Sequence, residues 1–508
     1  MKLIGKINPQ VVFWTLFVVL FIIWTFTALQ RLNETPSLDW DFAQYGFAMF
    51  DWRSSGKIPL LGPNAGYVSF NHLPALYYWI IYPFYLITNA SVFYNHLACF
   101  VYTWAIFLGL ALVLRKRPAY RWSFLLLIAL FCFSPLILHD RTIHVWNPSY
   151  AWQPVVVAWY CLALASQSKR RILLRVIGGI ACAISISFNL SLIPVVIGLL
   201  VVSVVRLRRQ VLPWLIGFLV ASLILWSPIF ILQPNEIFAS GLPLSGQSFD
   251  PFTVRFYNLF TASLTSVAYG PKPAGFELPL GCILVIAPIL FQLGKHKLSK
   301  LLHQDWFQLL LILVISAIIT LIPRVNMNYW YATGTAAIII LLLTNSPGRF
   351  KYIAIALLMS YWLMIFLRNI QPATGADTAS TAICLSKVCQ YTMPNQYYYA
   401  FYTDAVGDNA PSYFLTTLGC PPTRRWQKHD LNTLLENMVS TDYPLLVFHD
   451  LDELRNEWRR WPKETSDQLY VELKPTLDKL YQHPIVSASC DDNWGWTLYS
   501  KSAPPTSN

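Results

Sequence analysis

Charge is scarce in this chain. Lys, Arg, Asp and Glu together make up 12% of its 508 residues, roughly half the share usual for a soluble domain. Hydrophobic residues make up 55%, and the mean hydropathy is +0.45. These figures exclude a single soluble globular domain, because apolar runs long enough to cross a bilayer account for the missing charge. Short chemical signatures are also lacking. There is no P-loop, no dinucleotide-binding glycine fingerprint, no repeated C-x-x-C and no H-E-x-x-H, so nucleotide chemistry and a motif-built metal centre have no sequence basis. Acids are scarcer than bases, 25 against 37, which leaves a net charge of +12. The basic residues fall in short clusters between apolar runs: RKRPAYR (115–121), SKRR (168–171), RLRR (206–209), KHKLSK (295–300) and GRFK (348–351). That is the positive-inside pattern of a polytopic membrane protein and not a nucleic-acid patch.

What is abundant fits this reading. The 20 Trp, 27 Tyr and 31 Phe suit the membrane–water interface and also suit the walls of lipid or sugar sites. A short basic N-terminus precedes the apolar run 11–29, which is long for a signal peptide and lacks a small-x-small cleavage site. It reads as an uncleaved anchor with a cytoplasmic N-terminus. Later candidate spans are 122–138, 150–166, 172–187, 188–205, 211–233, 278–293, 307–322, 331–344 and 352–368. With every basic cluster inside, the segments 139–150, the turn near Asn189, 234–277, 323–330 and everything after Arg368 lie outside. Residues 72–113 break the alternation. Two full crossings there would put RKRPAYR outside, whereas one crossing plus a re-entrant or interfacial piece obeys the charge rule. Pro74 and Pro83 weaken a regular helix at 72–88. The expected total is 11 to 13 spans.

Composition changes near Asn369, and the tail holds most of the acids. The expected domains are a membrane domain over 1–368, including an outer loop at 30–71, and a soluble extracytoplasmic α/β domain over 369–508. Within the tail, strands are expected at 396–404 and 443–450, with helices at 410–419 and 451–461. Its four cysteines, Cys384, Cys389, Cys420 and Cys490, suit disulfides in an exported domain. Three connectivities are open, and sequence proximity favours Cys384–Cys389 with Cys420–Cys490.

Polar residues then gather on the outer side. The first loop carries Asp39, Asp41, Arg53 and Lys57, followed by His72. The next outer segment has His139, Asp140, Arg141, His144 and Asn147, and later loops add Glu236, Asp250, Arg255, Arg324 and Tyr329. A carboxylate can deprotonate an acceptor hydroxyl, and cations can hold a phosphate as it leaves. Outside the cytoplasm there is no nucleotide-sugar pool, so a sugar donor there arrives on a lipid. A lipid-phosphosugar transferase suits this face. Each residue also has a plainer use. Asp39 and Asp41 are good helix caps, the aromatics after Asp41 suit interfacial anchoring, and Asn147-Pro148 reads as a helix start.

Three segments carry a family resemblance: LDWDFAQYGFAMF (38–50), SGKIPLLGP (55–63) and NHLPALYYW (71–79). Their order after one span resembles the bacterial GT-C glycosyltransferases that use polyprenyl-phosphate donors, such as the protein O-mannosyltransferase and aminoarabinose transferase families. IHVWNPSY (143–150) and PRVNMNYWYATG (323–334) resemble later outer loops of that group. The resemblance implies a polytopic helical GT-C-like fold in the bacterial cytoplasmic membrane. It implies a hexosyl- or pentosyltransferase moving sugar from a polyprenyl-phosphate carrier to a lipid, glycan or protein hydroxyl, with inversion. On that pattern Asp41 is the base, and Asp39 is a metal or donor-orienting ligand. His72, Arg141 and Arg324 are the donor-phosphate contacts, and His144, Asn147 and Tyr329 are substrate contacts. No cofactor is required by the pattern, and a divalent cation stays open. The departures are the tryptophan that splits the acidic pair, which is adjacent in the family, and the missing lysine whose place falls to Asn71 or His72. The rival reading is a non-catalytic transporter or flippase for lipid-linked sugars, which should carry charges at mid-membrane depth.

Overall fold

In the computed structural model the described residues are 8–30, 40–64, 72–89, 93–134, 145–165, 168, 170–233, 304–321, 333–346, 352–353, 355–360, 362, 378–394, 396–402, 415–416, 418–420, 443–450, 479–489 and 494–501. The chain divides into two compact units. The first comprises Met1–Leu32 with Lys57–Pro372, the second Asn33–Gly56 with Ala373–Asn508.

The first unit is a body of apolar helices. They are α1 (Pro9–Gln30), α3 (Leu76–Ile87), α4 (Tyr94–Leu114), α5 (Pro118–Phe133), α6 (Trp152–Ala165), α7 (Arg171–Phe188), α8 (Ile193–Leu207), α9 (Leu212–Leu232), α10 (Asp305–Leu321) and α11 (Thr333–Asn345). The helix α2 (Trp40–Ser55) falls in the second unit. Among the described residues four stretches are long and apolar enough to cross a membrane: Pro9–Phe26, Tyr94–Leu114, Arg171–Phe188 and Leu190–Leu232. The last is α8 and α9 joined through a 3-10 turn at Arg208–Val211. This is an integral membrane protein. The expected spans 122–138, 150–166, 307–322 and 331–344 hold the shorter helices α5, α6, α10 and α11, while the span 278–293 lies outside the described residues.

Two helices sit at the centre. Along α11 every residue from Thr333 to Thr344 is buried, and α6 is buried at all but one position. A helix that is apolar all round belongs inside a body of other helices. These two pack on each other, with α5 and α10 also against α11 and α4, α7 and α8 also against α6. Around them, α1 and α9 turn Val11, Ile22, Leu223 and Ile231 outward, each more than half exposed, as lipid-facing helices should.

The most extensive helix pair is α7 with α9. Lipid tails are as apolar as leucine, so helices in a bilayer hold together by close backbone approach and not by hydrophobic exclusion. Glycines provide that approach here. A Cβ at Gly178 would run into the Trp214 ring, one at Gly179 into the Trp214 carbonyl, and one at Gly217 into the Val176 carbonyl.

The helices of the first unit other than α3 run between two distinct ends. At one end Arg115, after α4, stacks on Trp14 near the start of α1. There also Arg206 at the end of α8 meets Asp305 at the start of α10. The basic clusters at 115–121, 170–171 and 206–209 all belong to this end, as the charge rule requires. At the other end stands a hairpin of β1 (Leu61–Asn64) and β2 (His72–Pro74), paired Leu61 to Pro74 and Asn64 to His72. Leu73 packs there with Trp226 and Ile229 of α9, beside Ile186 of α7.

The geometry of α3 bears on the alternation problem at 72–113. At 12 residues it is about 18 Å long, short of a ~30 Å hydrocarbon core. Described residues bound it on both sides, β2 before and a turn through Asn89, at φ +50°, after. Both ends of α3 reach the first turn of α4. Tyr77 bonds Asn95, and the Tyr85 ring lies 5.3 Å from the Tyr94 ring. Thus α3 lies across the hairpin end of α4.

The second unit contains α12 (Thr378–Tyr391) and a four-stranded mixed sheet. Its strands β3 (Tyr398–Tyr402), β4 (Leu445–Asp450), β5 (His483–Ser489) and β6 (Trp494–Ser500) lie in the order β3-β4-β6-β5. The pair β3–β4 is parallel and the other two pairs are antiparallel. The two expected strands are present, and β5 and β6 were not foreseen. Of the expected helix at 410–419, residues 415–416 are described and helical. It ends at Gly419, whose φ of +87° and the bonds Cys420 N–H to Leu415 O and Gly419 N–H to Thr416 O close the last turn. The expected helix at 451–461 lies outside the described residues.

The expected disulfide pairing is corrected. Cys389 is bonded to Cys420, with Cα atoms 5.5 Å apart. Cys384 is also disulfide-bonded, to a partner outside the described residues. Both Cys384 and Cys389 sit on α12. Five residues along a helix place two side chains about 140° apart around the axis and their Cα atoms about 8 Å apart, beyond the reach of a disulfide.

Two measurements check this architecture. Gly217→Leu should force α7 from α9, cost about 1–3 kcal/mol and lower the unfolding temperature in detergent, whereas Gly109→Ala, with open space around it, should not. In labelling with a membrane-impermeant maleimide, Lys57→Cys and Asn89→Cys should react from one side and Lys116→Cys from the other. Opposite-side labelling of positions 57 and 89 would make α3 a crossing.

Candidate active site

The hairpin end is built by polar bonds between segments far apart in sequence. Asn95, on the first turn of α4, is the junction. It is 1% exposed. Its Nδ2 donates to the Tyr77 hydroxyl of α3 at 2.7 Å and to the Val145 carbonyl at 2.5 Å. Its Oδ1 accepts from the Tyr150 hydroxyl at 2.8 Å. One amide thus joins α3, α4, the strand-like entry at Val145 and the 3-10 turn Asn147–Tyr150. Burial first, and then the neighbouring Tyr94, hold the Tyr77 phenol well above its ordinary pKa, against the bond from Asn95. It therefore serves as a neutral hydrogen-bonding group. Gln153, the second residue of α6, extends the network by donating to Thr103 Oγ1 and to the Ser149 carbonyl, both at 2.9 Å.

His72 stands on β2 at this end. Its Nδ1 lies 3.0 Å from the Gly62 carbonyl. A carbonyl only accepts, so Nδ1 carries a proton, and Nε2 is an acceptor in the neutral ring and a donor in the imidazolium. Gly62 is required at its place, since a Cβ would run into the Leu73 and Pro74 carbonyls. Trp79 of α3 donates from Nε1 to the Pro59 carbonyl at 2.9 Å, fixing the segment that leads into the hairpin. Asn147 is buried, and its Nδ2 donates to the Phe188 carbonyl at 2.6 Å. That bond joins the 3-10 turn to the end of α7. The helix start read at Asn147-Pro148 is this 3-10 turn, with Pro148 in its first positions.

The two candidate residues with described side chains, His72 and Asn147, therefore share one end of the helix body. Asp41 is the second residue of α2, in the second unit. A carboxylate in a first helical turn is favoured by the helix dipole. The side chain of Asp41 lies outside what is described, as do Asp39, Arg141, His144, Arg324 and Tyr329 and the outer-loop residues His139, Asp140, Glu236, Asp250 and Arg255. Among the described residues no group of three or more His, Cys, Asp or Glu comes together to hold a metal ion. Sequence reading passed over Asn95, Tyr77, Tyr150 and Gln153. The available signal was a polar Asn95-His96 pair opening an otherwise apolar run.

No family model matches the sequence, and no curated protein matches it. Solved structures do match. ArnT from Cupriavidus metallidurans in the apo state, an aminoarabinose transferase, aligns over 96% of this chain and 99% of its own, at 12% identity and a TM-score of 0.58. The fold is GT-C. The same ArnT bound to undecaprenyl phosphate aligns over 97% and 99%, at 12% identity and a TM-score of 0.46. The oligosaccharyltransferase AglB from Archaeoglobus fulgidus, in complex with an inhibitory peptide and a dolichol-phosphate, aligns over 97% of this chain and 75% of its own, at 13% identity and a TM-score of 0.43.

The junction at Asn95 can be tested directly. Asn95→Ala leaves the Val145 carbonyl and the Tyr77 and Tyr150 hydroxyls without it, at about 1–3 kcal/mol for each group left unsatisfied. Thermal unfolding in detergent should fall well below that of Leu97→Ala, a truncation on a partly exposed position of the same helix.

Proposed function

We propose that this protein is a membrane glycosyltransferase that takes a sugar from a polyprenyl-phosphate donor and passes it to an acceptor hydroxyl on the outer face of the membrane. The observation that carries this reading is the GT-C fold matched over nearly the whole length of both chains. Fold alone does not fix chemistry. The site reading therefore rests on the residues: an acid-led helix directly after the first span, then a histidine on a hairpin at the end opposite the basic clusters. ArnT binds undecaprenyl phosphate, which is the donor class that the cations of the outer loops suit here.

In this reading the Asp41 carboxylate removes the proton of the acceptor hydroxyl as its oxygen attacks the anomeric carbon. The bond from that carbon to the phosphate oxygen breaks, and the electron pair leaves with the polyprenyl phosphate. One displacement inverts the centre. Asp39 orients the donor or holds a divalent cation. His72, with Nδ1 held by the Gly62 carbonyl, offers Nε2–H to the leaving phosphate when protonated. Arg141 and Arg324 share that charge, and His144, Asn147 and Tyr329 contact the substrates. With the basic end in the cytoplasm by the positive-inside rule, the hairpin end and residues 369–508 lie outside. The Cys389–Cys420 bond supports this placement, since disulfides persist in oxidising compartments.

Purified protein offered a panel of polyprenyl-phosphate sugars should release polyprenyl phosphate in the presence of acceptor. Asp41→Asn should slow release by about 10²–10⁴-fold without altering thermal unfolding, and His72→Gln should act mainly through the donor KM. A chelator arm reads the metal requirement. Near-normal turnover by Asp41→Asn on a donor the wild type uses would refute the base assignment. Donor transport across vesicles without any transfer would favour the flippase reading.

A further inference from the structure

The basic end contains a cation with no anion. Residues 141–235 include eight Lys and Arg side chains and not one Asp or Glu. Asp305 is the only carboxylate among the described residues of the first unit, and Arg206 occupies it at 2.6 Å. Arg175, one turn into α7, is left without a counter-charge among the described residues. It is 5% exposed. Its Nη2 donates to the neutral Oε1 of Gln210, and its Nε is buried with no hydrogen-bond partner. A guanidinium stays charged at any physiological pH, and an unpaired buried charge is strongly unfavourable. The nearest charges worsen the case. Arg171 lies one turn before it, and Arg208 and Arg209 immediately precede Gln210 in the α8–α9 turn, all three exposed.

The surroundings say what kind of anion fits. Next to these cations the surface is apolar and open, with Ile172 66%, Leu212 60% and Ile216 48% exposed. A free inorganic anion gains nothing from such a wall, whereas a lipid lays its acyl chains there. We propose that Arg171, Arg175, Arg208 and Arg209 form a binding site for the phosphate headgroup of an anionic phospholipid. The lipid phosphate meets the accessible edge of the Arg175 guanidinium in a charge-assisted bond, the exposed arginines draw it in as cations at an anionic leaflet do, and its chains run along Ile172, Leu212 and Ile216. The site lies at the opposite end of the helix body from His72 and Asn147 and is independent of the glycosyl-transfer reading.

The test is lipid retention by the purified full chain, read by native mass spectrometry after delipidation and addition of phosphatidylglycerol or phosphatidylcholine. Wild type should retain phosphatidylglycerol in preference to phosphatidylcholine, and millimolar inorganic phosphate should not displace it. Arg175→Gln should weaken retention by at least about tenfold, and Arg175→Lys should restore part of it. The turn variant Arg208→Gln/Arg209→Gln changes exposed side chains only and should weaken retention about fivefold for each arginine removed. It decides the matter if Arg175→Gln does not fold. Wild-type retention by both variants, equal retention of the two lipids, or full displacement by inorganic phosphate would each overturn the proposal.

Discussion

The contact between Arg206 and Asp305 organises the helix body. Asp305 takes the guanidinium at 2.6 Å through one oxygen and the Tyr120 hydroxyl at 2.8 Å through the other. Arg206 also donates to Gln308 Oε1 at 2.6 Å and to the Ala163 carbonyl at 3.2 Å. Four helix ends, those of α5, α6, α8 and α10, meet at this one pair. The side chains are 10% and 24% exposed, so the pair is largely out of water. Its net contribution to stability is small for that reason, because desolvating both ions offsets most of their attraction. Its effect is on arrangement. Removing either partner would strand the other charge in an apolar body, at about 3–5 kcal/mol, so alternative packings of these four helices are disfavoured.

That constraint gives the body two ends of different character. With the only described carboxylate of the first unit committed, the remaining arginines of the basic end are left to solvent, to tryptophan faces and to lipid phosphate. The hairpin end is held by different means. Its junction is the neutral amide of Asn95, and its loops are closed by hydrogen bonds to carbonyls at Gly62, Val145 and Phe188.

Most of the helix body was legible because hydropathy over about twenty residues is a strong and local signal. The runs at 94–114, 171–188 and 211–233 are helices close to where composition put them. The ambiguity at 72–113 was real in the sequence, since α3 is as apolar as its neighbours. Its course across α4 is set by the contacts of Tyr77 and Tyr85 with the consecutive residues Asn95 and Tyr94, which no composition window contains. The tail was harder for the opposite reason. The segment TASTAICLSKVCQY is rich in Thr, Ser and Cys, which are middling helix formers, so α12 went unseen. Missing that helix left nothing to forbid a Cys384–Cys389 bond. Of the candidate site, His72 and Asn147 were legible through their place in motifs, whereas Asn95 bonds residues 18 to 55 positions away and belongs to no motif.

The position of the acidic pair follows from this geometry. Trp14, near the start of α1, is at the basic end beside Arg115, so α1 finishes toward the other end. The next described strand of the first unit, β1, lies at the hairpin end, where Leu61 packs near Trp226 and Ile229. The close of α1 and the strand β1, which bracket the acidic segment in sequence, therefore lie on the same side of the helix body. A helix beginning at Trp40 places Asp41 inside the first turn and Asp39 immediately before it. The tryptophan that splits the pair is thus the first helical residue, and the two acids hold structurally different positions.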